Sequence, residues 1–104
     1  MTEITARRDP NRCPTHPGVV LAEALEATGE TKTRIAKLLA ISRQHLNDIL
    51  SGRKPVSANV AVRLGKLIGN GPEIWLRMQA AHDAWHAARA VDLDRIPTLK
   101  AKAA

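Results

Sequence analysis

Residues 31–52 read TKTRIAKLLAISRQHLNDILSG, and two helix starts stand out in them. Thr31 and Ser42 can each cap a helix with a side-chain oxygen, and Gly52 can end the second one. Ile35, Leu38 and Leu39 give the earlier helix an inward face. Leu46, Ile49 and Leu50 give the later one its own, at the three-to-four spacing of an amphipathic helix. Only Ala40, Ile41 and Ser42 separate the two, too short a link for antiparallel packing. They must cross steeply, with small Ala36 where they meet and Ile41 plugging the turn. That is a helix-turn-helix, the arrangement that carries a helix into DNA.

Fixing the apolar positions inward fixes what faces outward. The later helix presents Arg43, Gln44 and Asn47, with His45 beside them, near the N-terminal end that meets base edges. Arg matches guanine, and Gln or Asn matches adenine, through two hydrogen bonds each, so these four are the candidate base readers. Thr31, Lys32 and Ser42 sit at helix N-termini, where backbone N–H groups and the dipole favour phosphate. Arg53 and Lys54 flank them on the following loop. These five are the candidate phosphate contacts. Charge agrees with this placement. Residues 31–66 hold eight basic residues and one acid, Asp48, whereas the rest of the chain holds eight basic and nine acidic. The overall +6 therefore belongs to one segment, as expected of a surface that meets phosphate.

Working outward, Pro17 and Gly18 open a first helix with Val20, Leu21, Ala24 and Leu25 as its apolar positions, ending by Gly29. Ser57 caps a fourth with Val60, Ala61, Leu64, Leu67 and Ile68 inward. Gly69-Asn70-Gly71 breaks it, and Pro72 starts a fifth that runs to about Ala90. No alternating β-branched stretch suggests a strand. Phe and Tyr are absent, so the core must be aliphatic, with Trp75 and Trp85 as its only large rings. The reading is one all-α domain, a five-helix bundle containing a helix-turn-helix. Residues 1–15 are expected to form a flexible N-terminal arm, 16–90 the DNA-binding domain with a C-terminal dimerisation helix, and 91–104 a frayed tail. On the fifth helix Ile74, Met78, Ala81 and Trp85 form a stripe beyond the expected core. One helix-turn-helix reads only a few base pairs, so the stripe predicts a homodimer on an inverted repeat of double-stranded DNA.

Other chemistries find little support. No apolar run is long enough for a membrane span, the N-terminus lacks the apolar core of a secretory signal, and Cys13 has no disulfide partner; the expected location is cytoplasmic. No nucleophile–base pairing or glycine-rich phosphate loop points to an enzyme or a cofactor. His82 and His86 are spaced i, i+4 beside Asp83, but no Glu completes a zinc-protease motif and Cys13 is distant in sequence. No metal is expected, and Cys13 reads as a spectator thiol. Trp75 and Trp85 lie outside the basic segment, which favours packing over base stacking.

Several of these residues carry a family resemblance. His16-Pro17-Gly18, the run from Ile41-Ser42-Arg43-Gln44 through Ile49-Leu50-Ser51-Gly52-Arg53-Lys54-Pro55-Val56-Ser57, and Ala61-Val62-Arg63-Leu64 resemble the Xre-like helix-turn-helix proteins, which implies that the five helices form a phage-repressor-like bundle. Pro72-Glu73-Ile74-Trp75-Leu76 with Gln79, Asp83 and Trp85 is similar to their HigA-type antitoxin branch. The resemblance spans roughly residues 16 to 88. His45, Ser51 and His82 depart from the common pattern, and the first bears on which operator is read. The resemblance implies a repressor of its own operon that also binds a small RNA-cleaving toxin of the HigB type. A basic toxin would then be met by the surface of the first helix at Glu23 and Glu26. The alternative is a stand-alone Xre-like repressor without a toxin. A nucleoid-type protein without sequence preference fits less well with the ordered Arg43/Gln44/Asn47 face.

Overall fold

A computed structural model describes residues 9 and 11–102; the rest of the expected arm, and the last two residues of the tail, lie outside the described residues. The helices are α1 (Pro17–Glu26), α2 (Lys32–Leu39), α3 (Arg43–Leu50), α4 (Ala58–Ile68) and α5 (Glu73–Ala90). A short 3-10 turn, Leu93–Arg95, follows under an Asp92 cap. Among the described residues there is no strand. The fold is the expected five-helix bundle. Helix α3 packs on both α1 and α2, α4 packs on α2 and α5, and α5 closes back onto α1.

The helix starts follow from local chemistry. The hydroxyl oxygens of Thr31, Ser42 and Ser57 accept hydrogen bonds from the backbone N–H groups of Arg34, His45 and Val60, at 3.1, 2.9 and 3.2 Å. Helix α1 is capped by an imidazole, with His16 Nδ1 accepting from Gly18 N–H at 2.9 Å. That bond needs an unprotonated Nδ1. Burial, and then the neighbouring His82, lower the His16 pKa from its ordinary value and favour the neutral ring.

Leu21, Leu46, Ile49 and Leu64 are fully buried, and Trp75 closes the core from α5. Trp75 Nε1–H donates to Asn70 Oδ1 at 3.2 Å, which satisfies the indole where it reaches the surface. Two expected inward positions, Leu38 and Leu67, are exposed instead. Leu38 is 50% exposed, and the buried residues of α2 are Ile35, Ala36 and Leu39. The steep crossing turns small Ala36 toward the core, and this rotates Leu38 into an open surface groove beside Val62 and Leu67. Arg63 braces the same corner by donating from Nη1 to the carbonyl of Leu39 at 3.0 Å.

Two backbone features set the geometry of the helix-turn-helix. At Gly18, a Cβ would stand 2.1 Å from the Ile49 carbonyl oxygen, so α1 seats its bare backbone directly on α3. Within the turn Ala40 takes a left-handed conformation (φ 58°), which costs a residue bearing Cβ about 1–2 kcal/mol. Gly18→Ala should therefore lower unfolding stability by about 3 kcal/mol, as an overpacked contact against backbone. Ala40→Gly should raise it by up to about 1 kcal/mol as the strain is relieved. Urea titrations of the two variants measure both.

Candidate nucleic-acid interface

With Leu46 and Ile49 fully buried, the opposite side of α3 is committed to the surface. Arg43 and Gln44 are exposed there, while His45 and Asn47 are half-buried. Arg43 Nη1 donates to Thr33 Oγ1 at 3.0 Å, tying the first residue of α3 to the first turn of α2. Arg43 and Asn47 line a groove of about 710 Å³ between α1, α2 and α3, together with Lys32, Ser51 and Arg53. Two of the four candidate base readers and two of the five candidate phosphate contacts thus line one groove, whereas Gln44, His45, Thr31, Ser42 and Lys54 do not line it.

Asp48 organises this surface, a role that the sequence reading missed. Its Oδ1 accepts from Gln44 Nε2 at 3.0 Å and from Arg53 Nε at 3.2 Å, and Lys54 Nζ lies 3.7 Å from Oδ2. The Asp48 carbonyl also accepts from Lys54 N–H at 3.0 Å. The hydrogen bond from Gln44, followed by those charged neighbours, holds the Asp48 carboxyl below its ordinary pKa. The signal was its being the one acid among the eight basic residues of the segment.

Cations occupy awkward places on the same face. Lys32 and Arg43 are the first residues of α2 and α3, and neither helix has an acid in its first turn. A positive charge beside the positive end of a helix dipole is unfavourable, by roughly 0.3–1 kcal/mol each. An anion placed there relieves both. Thr31 and Ser42 use their oxygens to cap these helices, which leaves each hydroxyl hydrogen able to donate to such an anion.

The loop carrying Arg53 and Lys54 is pinned from behind. Gln79, 6% exposed on α5, accepts from Val56 N–H through Oε1 at 2.7 Å and donates from Nε2 to Asp83 Oδ1 at 2.9 Å. The remaining expected positions lie elsewhere. Ile74 is exposed, Met78, Ala81 and Trp85 are half-buried, and Arg89 stacks on the Trp85 ring at 3.5 Å. Met78 and Ala81 line a surface groove together with Pro14, Thr15 and Val20. Glu23 and Glu26 are both exposed, yet Glu26 lines the same groove as Arg43. The acidic patch of α1 is thus not separate from the basic face. Cys13, set aside for its distance in sequence, lies within 3.7 Å of His82 and 3.5 Å of His86.

No family model matches the chain. Antitoxin HigA-1 of Vibrio cholerae is 34% identical over 79 residues, covering 75% of this chain and 74% of that protein. The chain belongs to the HigA family of helix-turn-helix antitoxins. Virulence-associated protein A′ of Dichelobacter nodosus is 38% identical over 71 residues, or 67% of this chain; the match spans less than two thirds, 62%, of that relative. Among solved structures, the HigA-family antidote protein of Coxiella burnetii aligns with a TM-score of 0.77 and 34% identity, over 86% of this chain and 100% of its own. Antitoxin GraA in complex with its operator aligns with a TM-score of 0.74 and 29% identity, over 94% of this chain and 100% of its own. Both parts of the HigA resemblance have a physical basis here: His16-Pro17-Gly18 is the cap and close contact of α1, and Gln79 with Asp83 is the brace behind the loop.

That brace can be tested alone. Gln79→Ala leaves the buried Val56 N–H without an acceptor and should cost about 1–3 kcal/mol. Amide hydrogen exchange should show Val56 and its loop opening faster, with Leu46 and Ile49 little changed.

Proposed function

We propose that this chain is a sequence-specific transcriptional repressor that binds an inverted-repeat operator as a homodimer. We propose further that it is the antitoxin of a HigB-type RNA-cleaving toxin, acting in the cytoplasm. The observation that carries the first part is the exposed start of α3, where Arg43 and Gln44 stand among Lys32, Arg53 and Lys54. The family and the operator complex of GraA support it. In this reading Arg43, Gln44, Asn47 and His45 meet base edges, and Thr31, Lys32, Ser42, Arg53 and Lys54 meet phosphate. On docking, phosphate takes Arg53 and Lys54 from Asp48, and a base edge competes for Gln44. Ile74, Met78, Ala81 and Trp85 lie at the two-fold interface, and Ile74, 45% exposed, is fractionally the most exposed of the four.

Glu23 and Glu26 are the proposed toxin contact. Because Glu26 lines the groove that holds Arg43 and Asn47, a basic toxin seated there reaches the edge of the DNA face. Toxin and operator occupancy are then coupled rather than independent. Light scattering at tens of micromolar should give the mass of a dimer, and a monomeric mass with and without DNA would overturn that part. Reversing charge at Glu23 and Glu26 should weaken neutralisation of the toxin in co-expressing cells. If no small basic protein co-purifies with the tagged chain and no neighbouring reading frame is toxic, the protein is a stand-alone repressor.

Binding titrations separate the DNA roles. Arg53→Ala should weaken binding to all sequences alike and reduce the salt slope by about one unit. Gln44→Ala should relax preference at one or two base pairs, at about 1–3 kcal/mol against the cognate site. Asp48→Asn should instead raise affinity for unrelated DNA, by about fivefold at low salt, because it removes a negative charge and frees two cations. An unchanged salt slope in Arg53→Ala, or an unchanged selected motif in Gln44→Ala, would remove that residue from the interface.

A further inference from the structure

Among the described residues, one cluster of metal-ligating side chains outside the DNA face remains without a role: Cys13, His82 and His86. We infer that these three residues form a site for a thiophilic divalent ion of the zinc type, clasping the segment ahead of α1 to the middle of α5. His82 and His86 stand one turn apart on an 18-residue helix, so two ligands come from a single rigid element. The third comes from 69 residues away in sequence from His82.

The sulfur–nitrogen distances are within reach of a thiol hydrogen bond and are also those that a tetrahedral ion holds between its ligands. Zinc bonds of about 2.3 Å to sulfur and about 2.05 Å to nitrogen, at a tetrahedral angle, hold the two atoms about 3.6 Å apart. Cys13 Sγ lies 3.5 Å from His86 Nε2 and 3.7 Å from His82 Nδ1. All three ligand atoms lie within 4.8 Å of one another. Two nitrogens on a tetrahedral ion stand about 3.4 Å apart, so the imidazoles must close and the Pro14 carbonyl, 2.8 Å from His82 Nδ1, must give way. One thiolate with two imidazoles is a donor set that favours zinc over magnesium or calcium, which prefer oxygen. Three protein ligands leave a fourth position for water.

The neighbours set the state of each ligand. In the absence of metal, His82 Nδ1 is 2.8 Å from the Pro14 carbonyl oxygen and donates to it; binding exchanges this bond for one to the ion. The thiol proton of Cys13 leaves to solvent as the sulfur–metal bond forms, both imidazoles bind through neutral lone pairs, and nothing is oxidised or reduced. His16 is not a ligand, because its Nδ1 is taken by Gly18 N–H. Its ring instead packs edge-on against His82, with centroids 5.1 Å apart, and steadies that ring. The ion would close a cross-link across the start of α1, next to the Gly18 contact that seats α1 on α3.

Trp85 packs edge-on against His86 with centroids 5.1 Å apart, so its fluorescence reports on the site. The test titrates the full chain with Zn²⁺ against a chromophoric chelator, and with Co²⁺ as the spectroscopic substitute. The expected result is one ion per chain, a thiolate-to-cobalt charge-transfer band, and quenching of Trp85 by Co²⁺. Cys13→Ser and His86→Ala should each lose at least about tenfold in affinity, the smallest loss that even a supporting residue causes. Zn²⁺ should raise the thermal midpoint of the natural chain and leave that of Cys13→Ser unchanged. Both side chains lie outside the hydrophobic core, so the variants should fold, which circular dichroism checks. No binding overturns the inference. So does equal affinity in Cys13→Ser, which would reduce the site to a surface histidine pair. Neither result depends on whether the protein binds DNA.

Discussion

The burial of one side of α3 is the constraint on which the rest depends. Leu46 and Ile49 have no exposed surface, and the backbone of Gly18 presses on the Ile49 carbonyl from α1. A helix held this way has no rotational freedom, because turning it by one residue would expose a leucine and bury an arginine. Burying such a pair of aliphatic side chains is worth roughly 3–6 kcal/mol. Against this, the unfavourable placement of Lys32 and Arg43 at helix N-termini costs less, so the fold can carry an unfavourable electrostatic arrangement on its outer surface.

That arrangement has the character of a functional surface rather than a stabilising one. Cations begin α2 and α3, the left-handed Ala40 joins the two helices, and Asp48 gathers Gln44, Arg53 and Lys54 into one network. Exposed ion pairs add little stability. Their effect here is positional: they hold long, mobile side chains near one another before any anion arrives, which reduces the ordering cost of docking. The single acid of the segment also lowers its net positive charge.

The fold was legible in the sequence because its signals are local. Thr31, Ser42 and Ser57 announce their helices through caps that need only the next three residues, and Pro17, Gly69 and Pro72 punctuate the rest. The helix-turn-helix followed from the three-residue link together with the caps and apolar faces on either side of it. What stayed hidden depends on contacts between distant elements. Leu38 and Leu67 fit the helical spacing of inward positions, yet both end on the surface, beside one another, because the packing of α2 on α3 and α4 buries other residues. Gln79 looked like part of a motif, and only the fold brings it to Val56. Cys13 looked solitary because nothing in its own neighbourhood indicates that α5 returns beside it. Asp48 was in plain view but was counted as a charge rather than as a partner.

The central claim is that the start of α3 and the turns flanking it are the surface that meets DNA. An NMR titration of the labelled protein with its operator tests this most directly, through amide shifts along the whole chain. The account predicts that the largest changes fall at residues 31–34, 42–47 and 51–54, with the amides of Leu21 and Leu64 nearly unmoved. Changes centred on α5 or on the outer side of α1, with α3 silent, would contradict it.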